Sequence, residues 1–313
     1  MRLIFLGTPH FSTPFLSALL HDPFFEVAAV VCQPNKPSGR GEIMTMPPIA
    51  EMARKHEIEL YQPATLKSEE AAAQMRSYNA DAFVVVAYGK LIPKNILEIP
   101  KLGCINVHPS LLPKFRGPSP MQWAVKEGEV KTGVSIMLLD EGMDTGPILS
   151  YEVIGLDDDE TSHTLQDKVQ REGVALLVQT LKRHAADEII PLPQDESKAT
   201  LTRLLDREDG HIDWERSAIG IERQHRAYEG FPGSWNIWKR KGEDVRIKWI
   251  AMNIVDLKHE KPSGTVIVQG DRLFVEAADG TVEMTEVQME GKKACPAAEF
   301  LKGNVDIAGS VLK

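Results

Sequence analysis

Asp81-Ala82-Phe83-Val84-Val85-Val86-Ala87 is a continuous apolar run behind a single carboxylate. It does not alternate polar with apolar, as a strand with one wet face would. A strand apolar on both faces belongs to a parallel sheet covered by helices on each side. Its surroundings read the same way. Residues 2–6 are apolar and stop at Gly7-Thr8-Pro9, and residues 11–20 carry apolar side chains at helical spacing. Residues 27–32 form a β-branched run ended by Gln33-Pro34-Asn35. Residues 48–56 and 68–78 read as helices, 103–107 and 133–139 as further strands, and 120–126 as a helix between them. The fold class expected is therefore α/β, a doubly wound, Rossmann-like N-terminal domain with a mostly parallel sheet.

A long helix and a linker precede a change of texture at about residue 206. Residues 161–184 read as one long amphipathic helix, and Pro191-Leu192-Pro193-Gln194-Asp195-Glu196-Ser197 as a linker. A helix over 215–227 is followed by short runs at 235–238, 245–254, 265–268, 273–277 and 282–287, separated by turns such as Asp279-Gly280. That spacing predicts a small C-terminal antiparallel β-barrel of OB-like type. The expected division is a domain over 1–188, a linker over 189–206 and a second domain over 207–313.

Length and composition agree: 313 residues suit two domains, and 42% hydrophobic with 26% charged residues is ordinary for a globular protein. No apolar run approaches the roughly 20 residues a membrane-spanning helix needs, so no membrane association and a cytoplasmic location are expected. Cys32, Cys104 and Cys295 are scattered, which argues against a disulfide framework or a zinc site; no metal is expected. A net charge of −9 excludes broad coating of nucleic acid and leaves room only for a local basic patch. Gly7-Thr8-Pro9-His10-Phe11-Ser12 carries neither the dinucleotide fingerprint nor the Walker A pattern, and Pro9 removes an amide that phosphate would use.

Chemistry concentrates in Cys104-Ile105-Asn106-Val107-His108-Pro109-Ser110-Leu111-Leu112-Pro113. Strand side chains alternate, so Asn106 and His108 share a face, at a strand end that Pro109 and Pro113 enforce. The carboxyl ends of parallel strands are where open α/β sheets bind ligands. A second loop, Asp140-Glu141-Gly142-Met143-Asp144-Thr145-Gly146-Pro147, follows directly on an apolar strand. Its glycines permit close backbone approach to a ligand, and Asp144 between them could face the same pocket as His108.

Asn106, the His108–Pro113 segment and Asp144-Thr145-Gly146 resemble the folate-dependent formyltransferase family. The resemblance runs over nearly the whole chain: Phe5-Leu6-Gly7-Thr8-Pro9, Pro37-Ser38-Gly39-Arg40-Gly41, residues 84–89, Ile212-Asp213-Trp214 and Gly291-Lys292-Lys293-Ala294 all match members that act on methionyl-tRNA. It implies Asn106, His108 and Asp144 as the catalytic trio and 10-formyltetrahydrofolate as formyl donor. Attack of an amine on the formyl carbonyl would put negative charge on its oxygen, to which Asn106 and His108 would donate. His108 would also move a proton, and a carboxylate beside a histidine favours its protonated form. The implied folate slot lies along Tyr88, Gly89, Leu91 and Ile92, the Ser110, Leu111, Leu112 and Pro113 segment, and Asp140, Gly142 and Met143.

For the acceptor, the resemblance implies methionyl-initiator tRNA, approached by Arg40 in the long 33–47 loop. Lys239, Arg240, Lys241, Arg246 and Lys248 interleave with Trp235, Trp238 and Trp249, a pattern able to follow a phosphate backbone and stack on bases, although a solvated hairpin over a tryptophan core reads the same. Glu42-Ile43 and Gly230-Phe231-Pro232 depart from the family pattern. A monomer is expected. Open alternatives are formyl transfer to an amino-sugar nucleotide or to glycinamide ribonucleotide, hydrolysis of the same folate, and a non-catalytic folate- or RNA-binding protein.

Overall fold

The structure, a computed structural model, describes residues 1–38, 43–257 and 261–313. The chain separates into two compact units. The first comprises Met1–Pro120, Lys131–Gly155 and Leu165–Arg203; the second comprises Met121–Val130, Leu156–Thr164 and Leu204–Lys313.

In chain order the elements up to residue 185 are β1 (Arg2–Gly7), α1 (Thr13–His21), β2 (Glu26–Val31), β3 (Lys36–Ser38), β4 (Ile43–Thr45), α2 (Pro48–Lys55), β5 (Leu60–Tyr61) and α3 (Glu69–Ser77). Then come β6 (Ala82–Val86), α4 (Lys94–Leu97), β7 (Cys104–His108), α5 (Pro120–Lys126), β8 (Lys131–Leu138), β9 (Ile148–Gly155) and α6 (Ser162–Ala185). The main sheet has the order β5-β2-β1-β6-β7-β8-β9. Pairing is parallel from β5 to β7 and antiparallel for β7–β8 and β8–β9. Every residue of β6 and β7 is buried, the apolar run of β6 as expected and in β7 the polar Asn106 and His108 as well. One face packs Ile4, Leu6, Phe83 and Val85 against Ala71, Ala72 and Met75 of α3. On α6, a Cβ at Gly173 would lie 3.1 Å from Phe15 and 3.3 Å from Val134, so α6 sits close on α1 and β8. Chain order reverses around β1, which has β2 on one side and β6 on the other, placing the switch point at the carboxyl ends of β1 and β6.

One strand went unread in the sequence, and the segment read as a linker has fixed backbone partners. The periodicity left out β9, whose Tyr151, Glu152 and Val153 are exposed because it is an edge strand. Residues 191–203, polar and proline-rich, do not hang free: Leu192 pairs with Ile148, and Thr200 and Thr202 pair with Pro113 and Arg116.

The second unit holds α7 (Ala218–Ala227), β10 (Ser234–Arg240), β11 (Glu243–Val255), β12 (Val266–Gln269), β13 (Arg272–Glu276), β14 (Thr281–Met289), β15 (Cys295–Pro296) and α8 (Ala297–Gly303). The helix expected from 215 begins at 218, because the Ser217 hydroxyl accepts from Gly220 N–H and caps it. The antiparallel sheet runs β10-β11-β14-β13-β12, with β15 on β14. Its outer strands are joined by the last residues of the chain. Val266 N–H donates to Ser310, Leu312 N–H to Gly264, and Lys313 exchanges both backbone bonds with Ile237. The core gathers Trp214, Trp238 and Trp249 with Ile247, Leu273, Met284 and Phe300. Among the described residues no helix is long and apolar enough to cross a membrane.

Candidate active site

The site is built on β7 and the loop that follows it. Ser110 N–H turns back to the His108 carbonyl at 2.9 Å, and the Ser110 hydroxyl donates to the Lys114 carbonyl at 2.6 Å. Ser135 on β8 donates to the Ser110 carbonyl (2.7 Å) and accepts from Leu112 N–H (3.2 Å). Leu112-Pro113 is a cis peptide, and Phe115 stands at a φ of +60°. These contacts carry the Phe115 carbonyl back over the imidazole, 3.0 Å from His108 Nε2. A carbonyl can only accept, so Nε2 holds the hydrogen and Nδ1 is the nitrogen left for other work.

That nitrogen lies 3.6 Å from Asp144 Oδ2, beyond hydrogen-bond range and within ion-pair range. The same oxygen accepts from Gly117 N–H at 2.8 Å, which fixes the carboxylate. Asp144 has a φ of +54°, a left-handed turn that few non-glycine residues adopt. Asn106 precedes His108 by two residues on a fully buried strand, so both project to the same side. Asn106 is 9% exposed and His108 4%, and among the described residues no hydrogen bond occupies the Asn106 carboxamide. His108 and Asp144 are thus brought together, an imidazole with one nitrogen tied beside a carboxylate, and Asn106 offers a free amide on the same side of β7 as His108.

The expected folate residues divide into two groups. Leu91 (72% exposed) and Met143 (51%) are large apolar side chains left uncovered, with Ile92 half-buried behind them. Gly89 and Gly142 are exposed backbone, and Asp140 shapes its loop by accepting from Gly142 N–H and the Thr145 hydroxyl. The Lys94–Glu141 ion pair at 2.7 Å ties the segment after Gly89 to this loop. Bare backbone and uncovered apolar side chains suit a flat ring system. In the other group Tyr88, Ser110 and Leu112 turn their side chains inward, while Leu111 and Pro113 are half-buried. Tyr88 is 2% exposed, sits in the core cluster of α3, and burial pushes its phenol up to about 12. Its carbonyl, not its ring, faces outward polar groups, accepting from Thr8 and Gln33. Ser110 and Leu112 are buried in loop-building contacts, Leu111 packs over Gly133, and half-buried Pro113 supplies the cis bond.

The basic cluster also divides. Register puts Lys239, Arg246 and Lys248 on one face of the β10–β11 ladder, with Lys239 and Lys248 exposed. Arg240 lies on the other face, ion-paired with Asp306, and Lys241 is at the exposed turn. The tryptophans are not a stacking surface. Trp235, Trp238 and Trp249 are each 6% exposed or less, and their indole N–H groups bond to Arg207, Ser310 and Asn236. Apolar rings of this size fill the core first. Arg40 lies outside the described residues. The Phe115 carbonyl, the Gly117 amide and the Gln194 side chain, all close to the trio, carried no sequence signal. Among the described residues no cluster of three His, Cys, Asp or Glu side chains is placed to hold a metal ion.

An N-terminal formyl transferase domain is matched over residues 1–181 and a formyl transferase C-terminal domain over 204–305. The chain belongs to the formyl transferase family. It is 38% identical to the methionyl-tRNA formyltransferase of Caldicellulosiruptor saccharolyticus, with 100% of both chains covered. It is 40% identical to that of Lachnospira eligens, covering 100% and 99%. Among solved structures the fold resembles an N-formyltransferase from Helicobacter canadensis in complex with folinic acid and dTDP-3-aminofucose, with a TM-score of 0.64 at 17% identity, covering 91% of this chain and 98% of that one. It also resembles HypX from Aquifex aeolicus in complex with tetrahydrofolic acid (TM-score 0.61, 18% identity), covering 96% of this chain; the chain spans about half of HypX, 47%.

Proposed function

We propose that this chain transfers the formyl group of 10-formyltetrahydrofolate to the α-amino group of methionyl-initiator tRNA. The observation that carries the reading is the convergence of Asn106, His108 and Asp144, with His108 Nδ1 3.6 Å from Asp144 and Nε2 tied to Phe115. As the amine attacks the formyl carbon, the Asn106 carboxamide donates to the oxygen gaining charge, an interaction worth about 3–4 kcal/mol where water is excluded. His108 Nδ1 takes and returns the proton that must pass from the amine to the departing nitrogen. Asp144 faces the ring as it becomes charged. No covalent enzyme intermediate is needed, since both partners are nitrogen.

Leu91, Ile92 and Met143, with the backbone of Gly89 and Gly142, would hold the folate ring. Lys239, Arg246 and Lys248, together with Lys241 and Arg40, would meet phosphates of the acceptor. Residues 1–188 would form the catalytic domain, 189–206 the connection and 207–313 the tRNA-binding domain of a cytoplasmic monomer. The test is a transfer assay with labelled formylfolate against methionyl-tRNA, an amino-sugar nucleotide, glycinamide ribonucleotide and no acceptor. Label on the methionyl-tRNA alone is expected; label only on a small amine, or only as formate, overturns the reading. His108→Ala should keep folate affinity within a few-fold while turnover drops by about two orders of magnitude.

A further inference from the structure

Gln194 spends its whole carboxamide on the two loops of the site. Its Nε2 donates to the carbonyl oxygens of Asp144 at 2.8 Å and Gly146 at 2.7 Å. Its Oε1 accepts from Arg116 Nε at 3.0 Å. The orientation of the amide is forced, because carbonyls only accept and a guanidinium only donates. Arg116 is 3% exposed and itself held, its two other nitrogens forking onto Glu196 at 2.9 and 2.6 Å. Its backbone is fixed on both sides, by Thr200 at 2.9 Å and Thr202 at 2.7 Å.

Position in the chain gives these contacts their meaning. Arg116 stands between Phe115, whose carbonyl holds His108 Nε2, and Gly117, whose amide holds the Asp144 carboxylate. Gln194 therefore joins the loop that orients the imidazole to the loop that carries the acid. Asp144 is in a left-handed conformation that persists only where its surroundings over-determine it. The Gln194 bond to its own carbonyl, and to that of Gly146 two residues on, supplies that restraint.

We propose that Gln194 is a positioning residue for formyl transfer, holding the Asp144 carboxylate against His108 without touching either substrate. This rests on the roles given above to His108 and Asp144. Two substitutions separate positioning from general packing. Gln194→Met keeps the shape and loses all three bonds. Gln194→Glu keeps an acceptor for Arg116, now charge-assisted, and loses the donor to the two carbonyls.

Turnover should fall about ten- to a hundred-fold in both variants, the order expected when a reacting group shifts by up to an ångström. KM for either substrate should stay within about three-fold, since a group that touches no substrate removes no uniform binding. In an Asp144→Asn background, Gln194→Glu should cost less than about two-fold more, because a residue acting only through Asp144 has nothing left to act on. Full turnover in Gln194→Glu overturns the proposal, as does a loss that multiplies undiminished onto that of Asp144→Asn. If Gln194→Met fails to fold, Gln194→Glu and its double variant decide alone. Wild-type turnover in Asp144→Asn would instead remove the role of Asp144 itself, a separate failure from that of Gln194.

Discussion

Replacing Gly146 with alanine adds one methyl group at the point where the acidic loop returns to its strand. A Cβ built there lies 1.9 Å from the Leu138 carbonyl oxygen, 3.0 Å from its carbon and 3.3 Å from the Asp140 nitrogen, all backbone. A carbon meets a carbonyl oxygen without strain at roughly 3.3 Å, so the returning chain must retreat by about 1.4 Å. Asp144 is two residues away, and its carboxylate depends on a 2.8 Å bond from Gly117. A retreat of that size breaks the bond and opens the 3.6 Å approach to His108. Misplacement of about 1 Å at a reacting group can cost 10²-fold in rate, which sets the expected loss in kcat. Overpacking typically costs about 1–3 kcal/mol, and each kcal/mol lowers Tm by roughly 2–4 °C in a domain of this size. Steady-state transfer at saturating substrates, with a thermal melt, measures both. Gly155→Ala is the control, since nothing lies within 4 Å of the Cβ it would add. Turnover within three-fold of wild type and an unchanged melt for Gly146→Ala would refute the packing described for this loop.

Three further outcomes are expected. Asn106→Ala should lower kcat about 10²–10³-fold with little change in folate affinity; a loss in affinity alone would place the carboxamide on ground-state binding. Lys239→Ala with Lys248→Ala should leave kcat at saturating tRNA within two-fold, raise KM, and flatten the dependence of log KM on log salt by about one to two units, and an unchanged slope would move the phosphate contacts elsewhere. Burial pushes the Cys32 thiol up to about 11 and Cys104 up to about 12, so neither forms appreciable thiolate at pH 8. A thiol reagent at that pH should label only half-buried Cys295 in the folded protein and all 3 cysteines in denaturant; rapid labelling of two in the folded state would contradict the packing of β2 or β7.

The legible parts of the sequence were those with a local pattern. Residues 82–86 are apolar throughout because both faces of their strand are covered, and within 104–108 the Asn106–His108 spacing fixes a shared face by strand geometry alone. What escaped was non-local or main-chain. The Phe115 carbonyl and Gly117 amide carry no side-chain signature, since any residue type offers the same groups. Gln194 meets Arg116 across 78 positions and Asp144 across 50, separations at which a polar segment looks like a connector. Strand β9 fails to alternate cleanly because it has no neighbour strand beyond it. The tryptophans stayed ambiguous for a different reason: cations beside aromatics have one pattern whether the rings face solvent or, as here, are buried.

The backbone bonds of residues 310–313 give the second unit a clasp made from its own tail. The clasp also reaches the core, where Leu312 packs with the tryptophans and the Ser310 hydroxyl accepts from the Trp238 indole. Deleting those residues, or forcing a bulky fusion onto Lys313, would strip the partners from Ile237 on β10 and from Gly264 and Val266 beside and on β12. The N–H groups of Ile237 and Val266 and the carbonyls of Ile237 and Gly264 would then lack partners, and bare strand edges invite pairing with other chains.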